Sequence, residues 1–193
     1  MRAVVQRVKH ASVTIEGEVK SKIGEGYLIL LGICDEDTME DVEWLVKKIA
    51  NLRVFGDENN VMNRSILDIG GEALVVSQFT LYASYKKGNR PSWFRAGSHE
   101  HSIPLYEAFC GKLSEAIGKP VGTGEFGAEM QVKLTNDGPV TICIDTKNKE
   151  LAILTAIGLT IPYLYTQAFS PPASSTLHRN QKIFNQRYQI SKT

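Results

Sequence analysis

Apolar and polar residues alternate, or give way to short apolar runs, through the first 33 residues. Four such runs, "RAVVQRV", "ASVTIEG", "EVKSKIG" and "GYLILLGI", predict four β-strands, and the polar "EGE" at 16–18 predicts a hairpin turn. The pattern indicates a meander in which neighbouring strands pair.

The period changes at about residue 38. Asp37 and Glu40 resemble a capping box. The apolar residues that follow recur every three or four positions and form one helical stripe: Val42, Leu45, Val46, Ile49 and Leu52. This spacing predicts a helix over 38–52.

The remaining elements alternate between strands and one more helix. "ALVVSQFTLYA" predicts a strand and "IPLYEAFCGKLSEAI" a helix, while "EMQVKLTND" and "PVTICID" predict a closing pair of strands. The second helix would turn four apolar residues inward: Leu105, Tyr106, Phe109 and Leu113. The order of elements predicts an α+β fold, a curved antiparallel sheet or partial β-barrel with two packed helices.

Composition is that of an ordinary globular protein. The chain has 193 residues, with 42% hydrophobic and 22% charged residues, which is enough for one sizeable core. Cys34, Cys110 and Cys143 lie far apart in apolar surroundings, so we expect three reduced core cysteines. The start of the chain lacks the pattern of a signal peptide, and we therefore expect a cytoplasmic protein.

Charge divides the chain after Glu150. Residues 1–150 carry 18 basic and 21 acidic side chains, whereas 151–193 carry four basic and no acidic ones. Residues 151–169 are uncharged, so the segment could span a membrane, be a docked or disordered extension, or be a read-through past the natural end. We assign 1–150 to one domain and treat 151–193 as an atypical extension outside it.

Polar residues interrupt the apolar run of the strand predicted over 73–83. A buried hydroxyl or amide without a partner costs about 1–3 kcal/mol. Strand alternation would place Ser77 with Phe79 on one face and Gln78 with Thr80 on the other. These side chains therefore need either internal partners or a bound molecule.

A second unusual motif is "NDGPVT" at 136–141. It is either a plain hairpin turn or a purposeful geometry in which the Gly138-Pro139 bond is cis. The motif "HEH", with His99 and His101 on a predicted loop, is a weak metal signal and more typical of solvated histidines. We expect no metal and no cofactor.

Five segments resemble the D-aminoacyl-tRNA deacylase (D-tyrosyl-tRNA deacylase) family in order and spacing. They are "VVQRV", "DTMEDVEWLVKKIANLRVF", "VSQFTLYA" followed by "KKGNRPSW", "GEFGAEM" and "NDGPVTI", and the resemblance runs from Met1 to about Asn148. The chain departs from the family at "NNVMN" and at Trp93, where phenylalanine is common. The resemblance implies a homodimer that hydrolyses the ester of D-aminoacyl-tRNA, and of glycyl-tRNA, without a cofactor.

The resemblance also implies roles for individual residues. The catalytic pocket of one subunit would be lined by Ser77, Gln78, Phe79 and Thr80. Gly138 and Pro139, held by Arg7, would enter that pocket from the partner subunit and exclude L-amino acids by their backbone carbonyls. The adenosine of the tRNA end would lie against Phe126, Gly127 and Met130. Contacts with tRNA phosphates would come from a basic cluster: Lys86, Lys87, Arg90 and Arg95.

The chemistry of the predicted pocket leaves alternatives open. No histidine, lysine or carboxylate of the motif could activate Thr80 as a nucleophile. In the family reading, the 2′-hydroxyl of the terminal adenosine assists a water molecule, and backbone N–H groups near Phe79 and Thr80 stabilise the oxyanion. The alternatives are an acyl hydrolase with Thr80 or Ser77 as nucleophile and a dimer that binds tRNA ends without catalysis.

Overall fold

The computed structural model of this chain describes residues 1–86 and 88–149. The predictions made for Lys87 and for the extension 151–193 concern residues outside these ranges. Within them, no helix is long and apolar enough to cross a membrane.

Two α-helices, eight strands and one short 3-10 helix make up the described chain. The strands are β1 (Arg2–Ile15), β2 (Glu18–Ile23), β3 (Gly26–Gly32), β4 (Phe55–Gly56), β5 (Met62–Arg64), β6 (Glu72–Ser77), β7 (Gly122–Thr123) and β8 (Gln131–Asp145). The α-helices are α1 (Met39–Ala50) and α2 (His99–Ile117), and the 3-10 helix is Phe79–Tyr82.

Strand β1 organises the sheet. One of its edges pairs with β3 over residues 2–8 and with β2 over residues 11–15, and its other edge pairs with β8. The prediction of two separate strands in this region is wrong. The polar pair Lys9 and His10 is exposed, and the ladder to β8 continues past it, with His10 opposite Thr135.

The sheet is mixed rather than wholly antiparallel. Strand β6 pairs in parallel with β3 and with β7, because the chain crosses over through α1 and the β4–β5 hairpin before it enters β6. Strand β7 returns close to β2, where the Ser21 hydroxyl donates a hydrogen bond to the Thr123 carbonyl at 2.7 Å. The prediction of an α+β fold with a curved, partly closed sheet and two helices is confirmed, whereas the antiparallel pairing is corrected at β6.

The core lies on both faces of the central strands. Tyr27, Ile29 and Val75 face the helices, whereas Leu28 and Leu74 belong to a second cluster on the opposite face. The predicted inward residues of both helices are buried, except that Leu52 lies beyond the end of α1 and is half-buried. The prediction of three core cysteines is wrong for Cys143, which is exposed because it lies on the outer side of β8.

The start of α1 lies one residue later than predicted. The carboxylate of Asp41 accepts a hydrogen bond from the backbone N–H of Thr38 at 2.9 Å, so Thr38 and Asp41 form the capping box. Asp37 instead forms a buried ion pair with the α-amino group of Met1 at 2.5 Å. The predicted box fails because this ion pair engages the Asp37 carboxylate.

Candidate functional site

Strand β6 ends at Ser77, before most of the polar motif. The chain turns at Gln78 and continues as the 3-10 helix Phe79–Tyr82, so the predicted strand alternation beyond Ser77 is wrong. The amide of Gln78 donates a hydrogen bond to the hydroxyl of Thr80. Part of the polar motif is therefore satisfied internally, while 54% of Phe79 is exposed.

Contacts with β3 fix this turn. The backbone N–H of Gln78 donates a hydrogen bond to the carbonyl of Leu31 at 2.7 Å, which extends the parallel ladder by one residue. A Cβ atom on Gly32 would approach the carbonyl oxygen of Gln78 to 3.0 Å. Glycine at this position thus lets the 3-10 helix lie directly against the end of β3.

A cavity of about 360 Å³ opens where β3 and β6 end. It brings together three of the predicted pocket residues with two of the predicted adenosine residues. The cavity is lined by Leu31, Ile33, Ser77, Gln78, Phe79, Trp93, Ala96, Gly97, His99, Ser102, Phe126 and Gly127. Ligands commonly bind outside the carboxyl ends of parallel strands, as this cavity would allow.

Aromatic rings form much of the cavity wall. The ring of Phe126 meets those of His99 and Tyr106 edge to face, at 5.4 and 6.0 Å between centroids. Tyr106 is fixed by its hydroxyl, which donates a hydrogen bond to the carbonyl of Val75 at 2.9 Å, and burial raises its pKa well above the ordinary value. Tyr106 is thus a neutral support for Phe126.

Of the seven residues predicted for the catalytic pocket and the adenosine, two do not line this cavity. Met130 packs beside Val13 over Gly124, where a Cβ atom would come within 2.4 Å of the Met130 sulfur. Thr80 lies one residue beyond the lining, paired with Gln78. Met130 therefore does not join Phe126 in this cavity, and its contact with adenosine stays a prediction.

The "NDGPVT" motif is a bulge within one continuous strand, not a hairpin turn. Gln6 of β1 pairs with Thr141 and Val8 pairs with Asn136, so the four residues 137–140 of β8 lie opposite the single residue Arg7 in the ladder. The Gly138-Pro139 bond is cis, as the second reading of the motif predicted. Gly138 has a φ of +117°, which glycine adopts readily.

Arg7 lies beneath the bulge. Its guanidinium donates a hydrogen bond to the Asp137 carbonyl at 3.2 Å, forms an ion pair with the Asp137 carboxylate at 3.1 Å, and donates to the carbonyl of Val54. On the far side, Asn136 accepts a hydrogen bond from the Val140 N–H at 3.0 Å. The bulge is thus tied at both of its ends.

The two motifs do not meet within one chain. Gly138 and Asp137 line a second cavity of about 660 Å³ with Arg7 and Lys9, and Ser77 is absent from it. A third cavity of about 640 Å³, between Trp44 and the end of β8, contains none of the predicted site residues. The pocket residues and the Gly138-Pro139 segment are therefore separate surfaces of this subunit.

Basic residues lie close in sequence to Trp93 and Ala96 of the first cavity. Lys86, Arg90 and Arg95 are exposed, and the stretch 73–99 contains no acidic residue. Within the described ranges, none of these three side chains forms an ion pair with a carboxylate. Their charge is thus free to attract an anion.

The "HEH" histidines lie in the first turn of α2 rather than on a loop. His99 faces the first cavity, and the ring of His101 lies 3.0 Å from the carbonyl oxygen of Asp37. The loop prediction fails because Ser98 caps a helix that begins four residues earlier than expected. In residues 1–86 and 88–149, no group of three His, Cys, Asp or Glu side chains could hold a metal ion.

Sequence reasoning missed His99 and Trp93 as cavity residues. Trp93 meets Phe79 edge to face at 5.3 Å between centroids, so it forms the rim opposite the 3-10 helix. Residues 73–99 contain "SQFT", Trp93 and His99 but no acidic side chain. This absence was the sequence signal that could have indicated one shared surface.

Comparisons with a family model and with known relatives match this chain to deacylases, over most of the residues that the structure describes. A family model described as D-Tyr-tRNA(Tyr) deacylase matches residues 4–145. Over 150 residues, 78% of this chain and 100% of each relative, the chain is 67% identical to proteins named D-aminoacyl-tRNA deacylase from Bacteroides thetaiotaomicron and Phocaeicola vulgatus. A relative of the same name from Porphyromonas gingivalis is 61% identical over the same length.

Two solved structures are similar in fold. One, titled "c-Myc DNA Unwinding Element Binding Protein", is 46% identical with a TM-score of 0.71, covering 75% of this chain and 98% of that one. The other, titled as a probable eukaryotic D-amino acid tRNA deacylase, is 17% identical with a TM-score of 0.64, covering 74% and 97%.

Proposed function

Because this chain belongs to the D-tyrosyl-tRNA deacylase family and is a D-aminoacyl-tRNA deacylase, we propose that it also hydrolyses glycyl-tRNA and that it rejects L-aminoacyl esters sterically. The reaction breaks the ester between the amino acid and the terminal adenosine with a water molecule, and it releases the amino acid and free tRNA. Residues 1–150 form the catalytic domain, and 151–193 are an extension outside it.

The observation that carries this proposal is the separation of the two motifs. Ser77, Gln78 and Phe79 line one cavity, and Gly138 lies on another surface of the same chain. A second copy could supply its Gly138-Pro139 segment to the first cavity. This supports a homodimer in which each active site takes residues from both subunits.

Selectivity would follow from backbone rather than side chains. In this arrangement the carbonyls of the partner's Gly138 and the partner's Pro139 crowd the substrate α-carbon. A hydrogen atom fits against them, whereas the side chain of an L-amino acid collides. Glycine carries hydrogen at both positions, so its ester passes the same filter.

Hydrolysis would depend on substrate and backbone groups. Ser77, Gln78, Phe79 and Thr80 include no general base, so the adenosine 2′-hydroxyl would orient the attacking water. Among the described residues, no acceptor binds the backbone N–H of Phe79 or Thr80. Both groups are therefore available to donate to the oxyanion.

The tRNA would approach over the basic side of the cavity. Phe126 and Gly127 would hold the terminal adenosine, and Lys86, Arg90 and Arg95 would contact phosphates, together with Lys87 from outside the described ranges. The location of such an enzyme beside translation in the cytoplasm stays a prediction.

Matched esters test the function directly. The chain is incubated with D-tyrosyl-tRNA, L-tyrosyl-tRNA and glycyl-tRNA, and loss of the ester is followed over time. We expect hydrolysis of the D and glycyl esters and survival of the L ester. Equal rates on both enantiomers would refute the steric filter, and binding of all three without ester loss would favour the non-catalytic alternative.

A further inference from the structure

We propose that Tyr85 and Phe94 form a stacking platform for the unpaired bases that precede the terminal adenosine of the tRNA. This inference rests on the proposed function and adds to it a second RNA subsite, outside the cavity that would hold the adenosine. Its ligand is single-stranded RNA, recognised through base faces and phosphates.

Exposed aromatic rings on this face are unusual. Tyr85 and Phe94 are each 78% exposed, and Trp93 is 42% exposed, although rings of this size are normally buried. Tyr85 lies inside a loop whose ends are joined by two hydrogen bonds between the backbones of Ser84 and Ser92, at 2.8 and 2.9 Å, and Trp93 and Phe94 follow directly after this closure. The closure thus brings Tyr85 back toward the segment that carries Trp93 and Phe94, and all three rings present apolar surface to solvent.

The platform continues directly from the cavity rim. Trp93 lines the cavity and contacts Phe79, and Phe94 is the next residue along the chain. Neither Tyr85 nor Phe94 lines the cavity itself. A strand of RNA whose last base occupies the cavity would therefore pass over Trp93 before it reaches these two rings.

The positive charges close to these rings in sequence indicate a partner that carries phosphates. Lys86 follows Tyr85 immediately and Arg95 follows Phe94, while Arg90 lies between them in the loop. No acidic residue occurs anywhere in 73–99. Alternating rings and cations match a strand with stacked bases and a phosphate between each pair, which is how single-stranded nucleic acid is commonly bound. A protein surface offers no such regular negative charge.

The experiment compares two substrates that differ only in the nucleotides at issue. D-tyrosyl-tRNA carries the unpaired bases, whereas D-tyrosyl-adenosine ends at the adenosine. We expect Tyr85→Ala and Phe94→Ala each to raise KM for the tRNA by about tenfold with kcat unchanged, and to leave both constants for the adenosine ester unchanged. Tyr85→Phe and Phe94→Tyr keep a ring and should behave as wild type.

Each other outcome overturns the platform. An unchanged KM for the tRNA excludes stacking, and an equal rise for both substrates assigns the rings to the adenosine pocket. If the alanine variants dissociate the dimer in size-exclusion chromatography without changing KM for the tRNA, the rings form a protein interface instead.

Direct binding separates this inference from the proposed function. Fluorescence anisotropy of labelled, uncharged tRNA measures affinity without turnover. If wild type hydrolyses neither D ester, the proposed function fails, but weaker binding of uncharged tRNA to the two alanine variants would still support the platform. Equal affinities of wild type and variants would refute it.

Discussion

The guanidinium of Arg7 donates a hydrogen bond to the backbone carbonyl of Asp137, the residue that precedes Gly138, at 3.2 Å. The same group forms an ion pair with the Asp137 carboxylate and donates to the Val54 carbonyl, so one side chain joins the bulge of β8 to the loop after α1. The position of the proposed selectivity segment therefore depends on a residue that need not touch substrate.

Replacing Arg7 with methionine should weaken selectivity. Charge-assisted hydrogen bonds contribute about 1.5–3 kcal/mol each, and Met keeps the apolar stem without any donor. We expect the ratio of kcat/KM for D-tyrosyl-tRNA over L-tyrosyl-tRNA to fall about tenfold. The measurement is parallel hydrolysis of both esters by the purified variant.

Lys9→Met is the matched control for this prediction. Lys9 also lies beside the Asp137 carboxylate, at 3.4 Å, but more than half of its side chain is exposed. Exposed ion pairs contribute about 0–1 kcal/mol, so its ratio should stay near wild type. An Arg7→Met ratio equal to that of Lys9→Met would contradict a positioning role for Arg7.

Thr80→Val should keep most of the activity. The Thr80 hydroxyl accepts a hydrogen bond from Gln78 and lies outside the cavity lining, so its loss removes one neutral hydrogen bond of about 0.5–1.5 kcal/mol. We expect kcat/KM for D-tyrosyl-tRNA to fall by no more than about tenfold. Removal of a true nucleophile costs on the order of 10⁶ in a serine hydrolase.

The substrate offers the complementary experiment. A D-tyrosyl ester of tRNA that ends in 2′-deoxyadenosine lacks the proposed assisting hydroxyl and should be nearly inert with wild-type enzyme. Detection of a covalent acyl group on Thr80 by mass spectrometry would favour the rival hydrolase.

Asp41→Asn should destabilise the protein at neutral pH and not in strong acid. Burial raises the pKa of Asp41, but hydrogen bonds from Lys147 and Thr38 outweigh it and hold the pKa well below its ordinary value of 3.8. A carboxylate whose pKa is lower in the folded state stabilises the fold at pH values above its unfolded-state pKa. This stabilisation is lost as the pH falls through the folded-state pKa. We expect a lower Tm for the variant at pH 7 and a shrinking difference below about pH 4.

Glu40→Gln provides the comparison for Asp41→Asn. Glu40 lies in the same first turn of α1 but is exposed, so it contributes only about 0.3–1 kcal/mol through the helix dipole. A Tm difference for Asp41→Asn that stays constant from pH 7 to pH 2 would show that capping geometry, not charge, is lost.

Truncation after Glu150 should leave Tm, dimerisation and deacylation unchanged. The relatives from Bacteroides thetaiotaomicron and Porphyromonas gingivalis are matched over their whole length by 150 residues of this chain. Truncation after Val140 is the contrasting variant, because it removes the residues of β8 that pair with residues 2–6 of β1. A large fall in Tm on removing 151–193 alone would show that the extension completes the core.

Sequence patterns predicted the helices well and the ends of strands poorly. Apolar residues such as Leu45 and Phe109 recur with the helical period because they are buried. The buried faces of α1 and α2 could therefore be predicted from the sequence pattern. The end of β6 could not, because Leu81 and Tyr82 continue an apolar pattern after Ser77. The turn there is set by the contact of Gln78 with Leu31 and Gly32, which are distant in sequence.

The sequence indicated which motifs carry unusual residues, but not how the chain arranges those residues in space. "NDGPVT" contains the residues of a hairpin turn, yet β1 pairs with both flanks and keeps β8 continuous. Likewise, Met130 and Phe126 are four residues apart, but Gly127, with a φ of +80°, turns the chain between them. Pairing partners and turn direction are tertiary properties, and short-range patterns do not contain them.

The parallel position of β6 divides the surface of the proposed active site into parts of very different local stability. Val75 and its neighbours are fully buried between β3 and β7, so their amides should exchange with deuterium only when the whole domain unfolds. The loop between Ser84 and Ser92 is tied by two backbone hydrogen bonds in solvent, and its amides can exchange through brief local opening. Under the proposed function, the outer loop would thus adjust to the unpaired RNA strand while the wall of the proposed pocket stays rigid.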